Sequence, residues 1–422
     1  MNNFVKLSDL CTKITDGSHY SPEGVDTGYP MFSVKDMRDR GFSYDDCKFI
    51  NETEYQNMVA NGCVPQKNDV LIAKDGSYLK HVFVITENKE EAVLSSIGIL
   101  RPDMTKVNPY YIKYYLSSEF VKKQVKKKYV SGSALPRIIL KNFENIEIPY
   151  VGLDIQNKIV SVLKSFDDKI TNNENINAEL ESLAKTIYDY WFLQFEFPNE
   201  KGLPYKSSGG KMVWSEELKR EIPEGWGVGT LKDYGEIVAG GTPDTENPEF
   251  YCEHGISWIT PKDLSITNDM YISHGERDIT ELGLKKSSAV LMPKGSVLMS
   301  SRAPIGYLAI SLNEITTNQG FKSIVPKKEY GSEFVYYTLR TYVPAFIKKS
   351  GQTTFKEVSK GTLEEFSTFV PDERVLTLFN SIIHPLGEKR VLLEKENREL
   401  AALRDWLLPM LMNGQVGFKD VE

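Results

Sequence analysis

Cysteine is scarce. Cys11, Cys47, Cys63 and Cys252 are the only four in 422 residues, and none stands in a Cys-x-x-Cys pair or at metal-ligand spacing from a histidine. A disulfide scaffold and a structural zinc site are therefore not expected; reduced thiols in a cytoplasmic protein are. Histidine is equally thin: His19, His81, His254, His274 and His384 are scattered, which argues against a histidine-based metal or catalytic cluster. Apolar runs fall short of the ~20 residues of a membrane helix, and the stretch from Met1 to Gly17 lacks the basic and apolar regions of a secretory leader. Net positive charge is missing too. Lys and Arg number 51 against 58 Asp and Glu, a balance of −7 that by itself speaks against a nucleic-acid partner.

What is present is a globular composition, 41% hydrophobic and 26% charged, in a chain long enough for two or more domains of ~100–200 residues. The charge is uneven. Between Lys106 and Lys141 lie Lys113, Lys122, Lys123, Lys126, Lys127, Lys128 and Arg137, with Glu119 the lone acid. A local stripe of this kind is what phosphate contact requires; a solvated helix face gives the same pattern. Residues 154–200 are acidic instead.

The chain also repeats itself once, about 220 residues apart. Pro30-Met-Phe-Ser-Val-Lys-Asp-Met37 is echoed by Ser257-Trp-Ile-Thr-Pro-Lys-Asp-Leu264, and Asp69-Val-Leu-Ile-Ala-Lys74 by Ser296-Val-Leu-Met-Ser-Ser301. Asn177-Ala-Glu-Leu-Glu-Ser-Leu183 returns as Asn397-Arg-Glu-Leu-Ala-Ala-Leu403, an offset of 220. Each half opens with short apolar runs punctuated by Gly and Pro, which predict strands at Val70-Leu-Ile-Ala73, Val82-Phe-Val-Ile85, Val297-Leu-Met299 and Leu308-Ala-Ile310. A helical piece follows in each half, around 108–128 and 332–349.

Each half closes on a long segment with apolar residues three and four apart. Ile159, Leu163, Phe166, Ile170, Leu180, Ala184, Ile187 and Trp191 trace one seam, interrupted at Asn173 and Asn177; Phe379, Ile383, Leu386, Leu393, Leu400, Leu407 and Leu411 trace the other, interrupted at Arg390, Asn397 and Arg404. Such a seam can pack on its own domain. Two equivalent seams of about 34 residues, roughly 50 Å at ~1.5 Å per residue, predict instead that the helices pair with each other, antiparallel if a two-fold relates the halves. The expected fold is α+β: two β-rich globular domains separated by two long helices in an antiparallel coiled coil, with an internal pseudo-two-fold repeat. The divisions are a first domain over 1–152, a helix over 153–197, a turn-rich linker over 198–225, a second domain over 226–371 and a second helix over 372–416.

Catalytic motifs are missing. Asn108-Pro-Tyr-Tyr111 and Asn247-Pro-Glu-Phe250 each lack the second proline of an adenine methyltransferase's base-holding segment. Gly209-Gly-Lys211 lacks the spacing of a phosphate loop, and the acids near Asp244 and Asp372 have no Glu-x-Lys partner for a nuclease centre. An enzyme is not expected, and no catalytic or metal residues are assigned.

Gly235-Glu-Ile-Val-Ala-Gly-Gly-Thr-Pro243, Trp258-Ile-Thr-Pro-Lys-Asp-Leu264, Ser300-Ser-Arg-Ala-Pro-Ile-Gly306 and Thr317-Asn-Gln-Gly-Phe321 together resemble the specificity subunit of type I restriction–modification systems. The first half fits more loosely, with Lys74-Asp-Gly-Ser77 in place of the Ser-Arg-Ala-Pro segment. The resemblance implies that each β-rich domain is a target-recognition domain reading half of a split site in double-stranded DNA, and that the helices are a spacer. It implies two methyltransferase subunits as partners, using S-adenosylmethionine, and two restriction subunits, using ATP and Mg, with no cofactor in this chain and no membrane. A self-contained methyltransferase or nuclease fragment, and a coiled-coil adaptor that reads no DNA, are the alternatives.

Base edges are read by Arg, Lys, Asn and Gln, and phosphates are met by Lys, Arg and hydroxyls. The second-half candidates are Lys262, Ser301, Arg302, Tyr307, Asn318, Gln319, Gln352 and Lys356, with Arg302 set against a guanine; Asn318-Gln319-Gly320 can equally be a stabilising turn. The first-half equivalents are Lys35, Lys74, Ser77, Tyr78, Lys80, Ser133 and Arg137, with Lys122, Lys123, Lys126, Lys127 and Lys128 on phosphates. Asp167, Asp168 and Glu181 on the first long helix are expected to face the partner subunits.

Overall fold

A computed structural model describes residues 3–74, 79–129, 138–267, 269–350 and 357–418. The chain divides into two compact units, residues 1–172 with 396–422, and residues 173–395. The division cuts through both long helices, Leu153–Tyr188 and Glu373–Met412, so each unit holds a segment of each.

In the first unit a four-stranded antiparallel sheet runs in the order Cys11–Asp16, Ile97–Pro102, Val70–Ala73, Val82–Val84. In the second unit Gly235–Ala239, Lys322–Pro326, Val297–Met299 and Leu308–Ser311 follow the same order, extended by Tyr271–Ile272 parallel to the last. Each unit adds a smaller sheet with one parallel pair, Met31 opposite Ala92 in the first beside one antiparallel pair and Trp258 opposite Thr316 in the second beside two. A two-stranded ribbon closes each domain, Asn3–Lys6 with Glu147–Tyr150 and Gly227–Thr230 with Ser367–Val370. The repeat in sequence is thus a repeat in topology.

The central strands are buried on both faces, which is why they read as unbroken apolar runs. Side chains alternate along a strand. Val70 and Ile72 enter a core with Tyr111, Ile112, Phe143, Ile148 and Leu163, while Leu71 and Ala73 enter another with Phe32, Phe83 and Val93. Val297 and Met299 likewise face Tyr234, Phe334 and Phe369, while Leu298 faces Ile259, Ala309 and Phe321.

The long helices do both things their seams allowed. Ile159 and Leu163 are buried in the first unit's core, and Phe379 and Ile383 in the second's, with Ile187 and Leu386 packed at its margin and Leu407 at the first's. Ile170 and Leu393 are buried, and Phe166, Asn177, Leu180, Asn397 and Leu400 half-buried. Within the first unit Asp167 meets Arg404 at 2.6 Å and Lys169 meets Glu396 at 3.5 Å. Within the second, Glu181 meets Arg390 at 3.1 Å and the Trp191 ring lies 5.9 Å from Phe379. As one helix advances the other recedes, so the segments run antiparallel in each unit.

The expectation of a linker over 198–225 is corrected. Met212–Ser215 and Arg220–Pro223 form an antiparallel hairpin, and Phe197 stacks on Tyr205 and on Trp226 at 4.6 and 5.2 Å. The segment is fastened to the second unit by aromatic burial that its glycines and serines concealed.

Candidate nucleic-acid interface

In the second unit the recognisable motifs converge on one scaffold. The strand Val297–Met299 delivers Ser300 and Ser301 to a tight loop. The Ser300 hydroxyl donates to the Pro304 carbonyl at 2.8 Å and accepts from the Tyr307 amide at 2.9 Å. Ser301 is fully buried, its amide and hydroxyl both donating to the Gly320 carbonyl. Asn318 turns its side-chain carbonyl onto the Gly320 amide at 2.9 Å, so its turn role is the observed one, and exposed Gln319 is bonded by the Thr242 hydroxyl. A Cβ on Gly240 would collide with the Asn318 carbonyl oxygen, which explains glycine there. Asp263 caps its own helix through Thr260 and accepts from the Glu276 amide, leaving exposed Lys262 ion-paired with Glu276. Tyr307 is half-buried against the smaller core.

Arg302 is different. Its side chain is 50% exposed, and its Nε donates to Glu357 at 3.0 Å. Lys322, nearly buried, holds the other Glu357 oxygen at 3.3 Å. Burial alone would raise the Glu357 carboxyl, but the hydrogen bonds and charges of Lys322 and Arg302 outweigh it and keep it below its usual range.

In the first unit the helix Glu119–Tyr129 buries Val121 and Val125 and exposes Lys123 and Lys127, while Lys122 is paired with Glu119 at 3.1 Å. Lys35 and Lys80 are exposed. Lys74 is corrected as a DNA contact: it is 2% exposed and ion-paired with Asp16, so its ammonium is spent inside the domain. Ser301 is corrected for the same reason. Lys113 leaves the basic stripe, bonded at 2.7 Å to Asp167. The side chains of Lys126 and Lys128, and residues Ser77, Tyr78, Ser133, Arg137, Gln352 and Lys356, lie outside the described residues.

Two of the acids assigned to a partner surface also turn inward. Asp167 accepts from Lys113, from the Tyr114 hydroxyl at 2.8 Å and from Arg404. Burial would raise its carboxyl, yet those three groups hold it down to about 2. Glu181 joins Arg340 and Arg390, and Asp168 alone stays exposed, paired with Lys164 on the preceding turn. Glu357 and Lys322 were missed by sequence reasoning; only their approach in space marks them. The near-methyltransferase segments are helix starts, Asn108 accepting from the Tyr110 amide and Asn247 from the Glu249 amide. Among the described residues no group of three or more His, Cys, Asp or Glu could hold a metal ion, and no helix is long and apolar enough to cross a membrane.

The sequence model for the type I restriction modification DNA specificity domain matches residues 2–182 and again 223–400. The MjaIX specificity subunit of Methanocaldococcus jannaschii is 40% identical over 211 residues, about half of either chain at 47% of this one and 48% of that. The HindI specificity subunit of Haemophilus influenzae is 24% identical over 408 residues, 83% of this chain and 87% of that. The S subunit of the M. genitalium type I restriction-modification system shares the fold, with a TM-score of 0.59 at 16% identity over 100% of this chain and 97% of that. The chain belongs to the family of type I restriction–modification specificity subunits and carries their DNA specificity domain twice.

Proposed function

We propose that each unit reads one half of a bipartite double-stranded DNA target, and that the paired helices fix the distance between the halves. Two readers on one duplex must face their grooves in phase with the helical turn, which a rigid spacer secures. The chain itself is non-catalytic. Two methyltransferase subunits carry S-adenosylmethionine, and two restriction subunits carry ATP and Mg. The observation that carries this reading is one strand order built twice, with Asp75 in the first half of the sequence where exposed Arg302 stands in the second. Exposed Lys123 and Lys127 supply phosphate contacts despite the chain's negative total.

The test is co-expression with the methyltransferase subunit encoded beside it, followed by sequencing of host DNA for N6-methyladenine. Two short defined blocks around a fixed undefined gap are expected. A single contiguous block, or no methylation from a stable complex with an active methyltransferase, would overturn the proposal.

A further inference from the structure

The Arg302 loop is unusually well held for a half-exposed side chain. Ser301 behind it is locked to Gly320 by two hydrogen bonds, and the Val358 amide donates to the Ser301 carbonyl at 2.8 Å. Arg302 and Glu357 face each other across an isolated antiparallel bridge, so backbone and side chains pair at once. The carboxylate takes Nε of Arg302 on one oxygen and Lys322 on the other. Among the described residues the two terminal guanidinium nitrogens make no hydrogen bond. Two cations around one carboxylate leave the group with a surplus positive charge.

From this geometry, and resting on the two-reader proposal, we infer that Glu357 is a positioning residue for specificity: it fixes Arg302 side-on so that the guanidinium end meets one guanine. A guanidinium reads O6 and N7 of guanine with two parallel donors. That match depends on the plane of the group, and a free arginine with several rotatable bonds must be ordered at the moment of binding. Gripping Nε sets the plane in advance and keeps the terminal nitrogens for the base. Lys322 completes the device by holding the carboxylate from behind, and the lowered Glu357 carboxyl stays ionised throughout the neutral range.

The test uses the intact chain with its methyltransferase subunit, comparing wild type with Arg302→Ala, Glu357→Gln, Glu357→Ala and the exchange Arg302→Glu/Glu357→Arg. The readout is the methylated motif. Arg302→Ala should admit other bases at one position of one block, with discrimination there falling at least tenfold. Glu357→Ala should widen that same position, and the isosteric Glu357→Gln should widen it less, with the other block unchanged. The exchange keeps the ion pair and should keep the melting temperature while losing the guanine. Unchanged motifs in both Glu357 variants, beside a widened one in Arg302→Ala, would overturn the positioning role alone. An exchange variant that still reads the guanine would overturn the Arg302 contact itself. An unchanged motif in Arg302→Ala would overturn the guanine contact. A wild type without a split motif would overturn the two-reader proposal and this inference together.

Discussion

At the start of the strand Val70–Ala73 stands Asp69, 1% exposed and gripped by Arg101 through two bonds of 2.9 and 2.8 Å. At the matching start of Val297–Met299 stands Ser296, whose hydroxyl donates to the Pro293 carbonyl at 2.7 Å. Leu100 lies opposite Val70, and Ile324 opposite Val297, so Val325 holds the place of Arg101. The contrast repeats at the strand ends, where the first unit buries Lys74 on Asp16 and the second buries Ser301 on a backbone carbonyl. At these two matching positions the fold is fastened by buried charge in the first unit and by hydroxyls in the second. Ion pairs stripped of water gain little net stability, but removing one partner is costly because the other stays buried and charged. At these positions the first unit should therefore be the more brittle towards single substitutions.

The sharpest way to break that comparison is to convert one pair. Arg101→Val leaves Asp69 without its counter-ion and should cost about 3–5 kcal/mol, read as an earlier urea transition with faster hydrogen exchange in Val70–Ala73. Asp69→Ser/Arg101→Val installs the second unit's residues and should recover most of the loss. A double variant as unstable as the single would show that the two units are not interchangeable here.

The carboxylates on the first long helix extend the contrast. Asp167 is 15% exposed with three partners, and Glu181 is 34% exposed with two arginines. Asp167→Ala should destabilise by about 3 kcal/mol, and Glu181→Ala by about 1 kcal/mol, both measured by denaturant unfolding. Equal losses would dissolve the distinction.

Acid sharpens it further. The Asp167 carboxyl is depressed in the folded chain, so its contribution is complete above the ordinary carboxylate pKa of about 4 and is lost as pH falls through about 2. On the order of 2 kcal/mol should disappear over that interval. Melting temperatures from pH 5 to pH 2 should fall more steeply for wild type than for Asp167→Asn, and parallel curves would remove Asp167 as the cause.

Much of this architecture was legible in the residues. Runs buried on both faces announced themselves as Val70-Leu-Ile-Ala73 and Val297-Leu-Met299, and the seams marked the helices whose observed spans are Leu153–Tyr188 and Glu373–Met412. Those are local patterns. What escaped were contacts between residues far apart in the chain: Lys74 with Asp16, Asp167 with Arg404, and the aromatic stack that fastens Phe197 to Trp226. A lysine in a loop reads the same whether it faces solvent or a buried aspartate. The motif residues misled in a further way, since Ser301 and Asn318 hold the loop from which Arg302 projects. The sequence also sets Asp75 after Lys74 and Arg137 before Ile138, where the second half has Arg302 after Ser301 and Glu357 before Val358, the same charges exchanged.

The smallest expected effect concerns the exposed lysines. Lys123 and Lys127 lie on the exposed side of a helix whose buried side carries Val121 and Val125, so their removal should leave the fold intact. A phosphate contact releases counterions whatever the base sequence. Lys123→Ala and Lys127→Ala should each weaken binding of every duplex alike and lower the slope of log affinity against log salt by about 1, with the methylated motif unchanged. The corresponding helix of the second unit, Ser332–Ser350, ends in Lys348 and Lys349, and Lys349 lies over the Phe366 ring at 4.8 Å. Its ammonium is partly engaged within the domain, so Lys349→Ala should change the salt slope less than Lys127→Ala does. A larger change would move the stronger phosphate grip to the second unit.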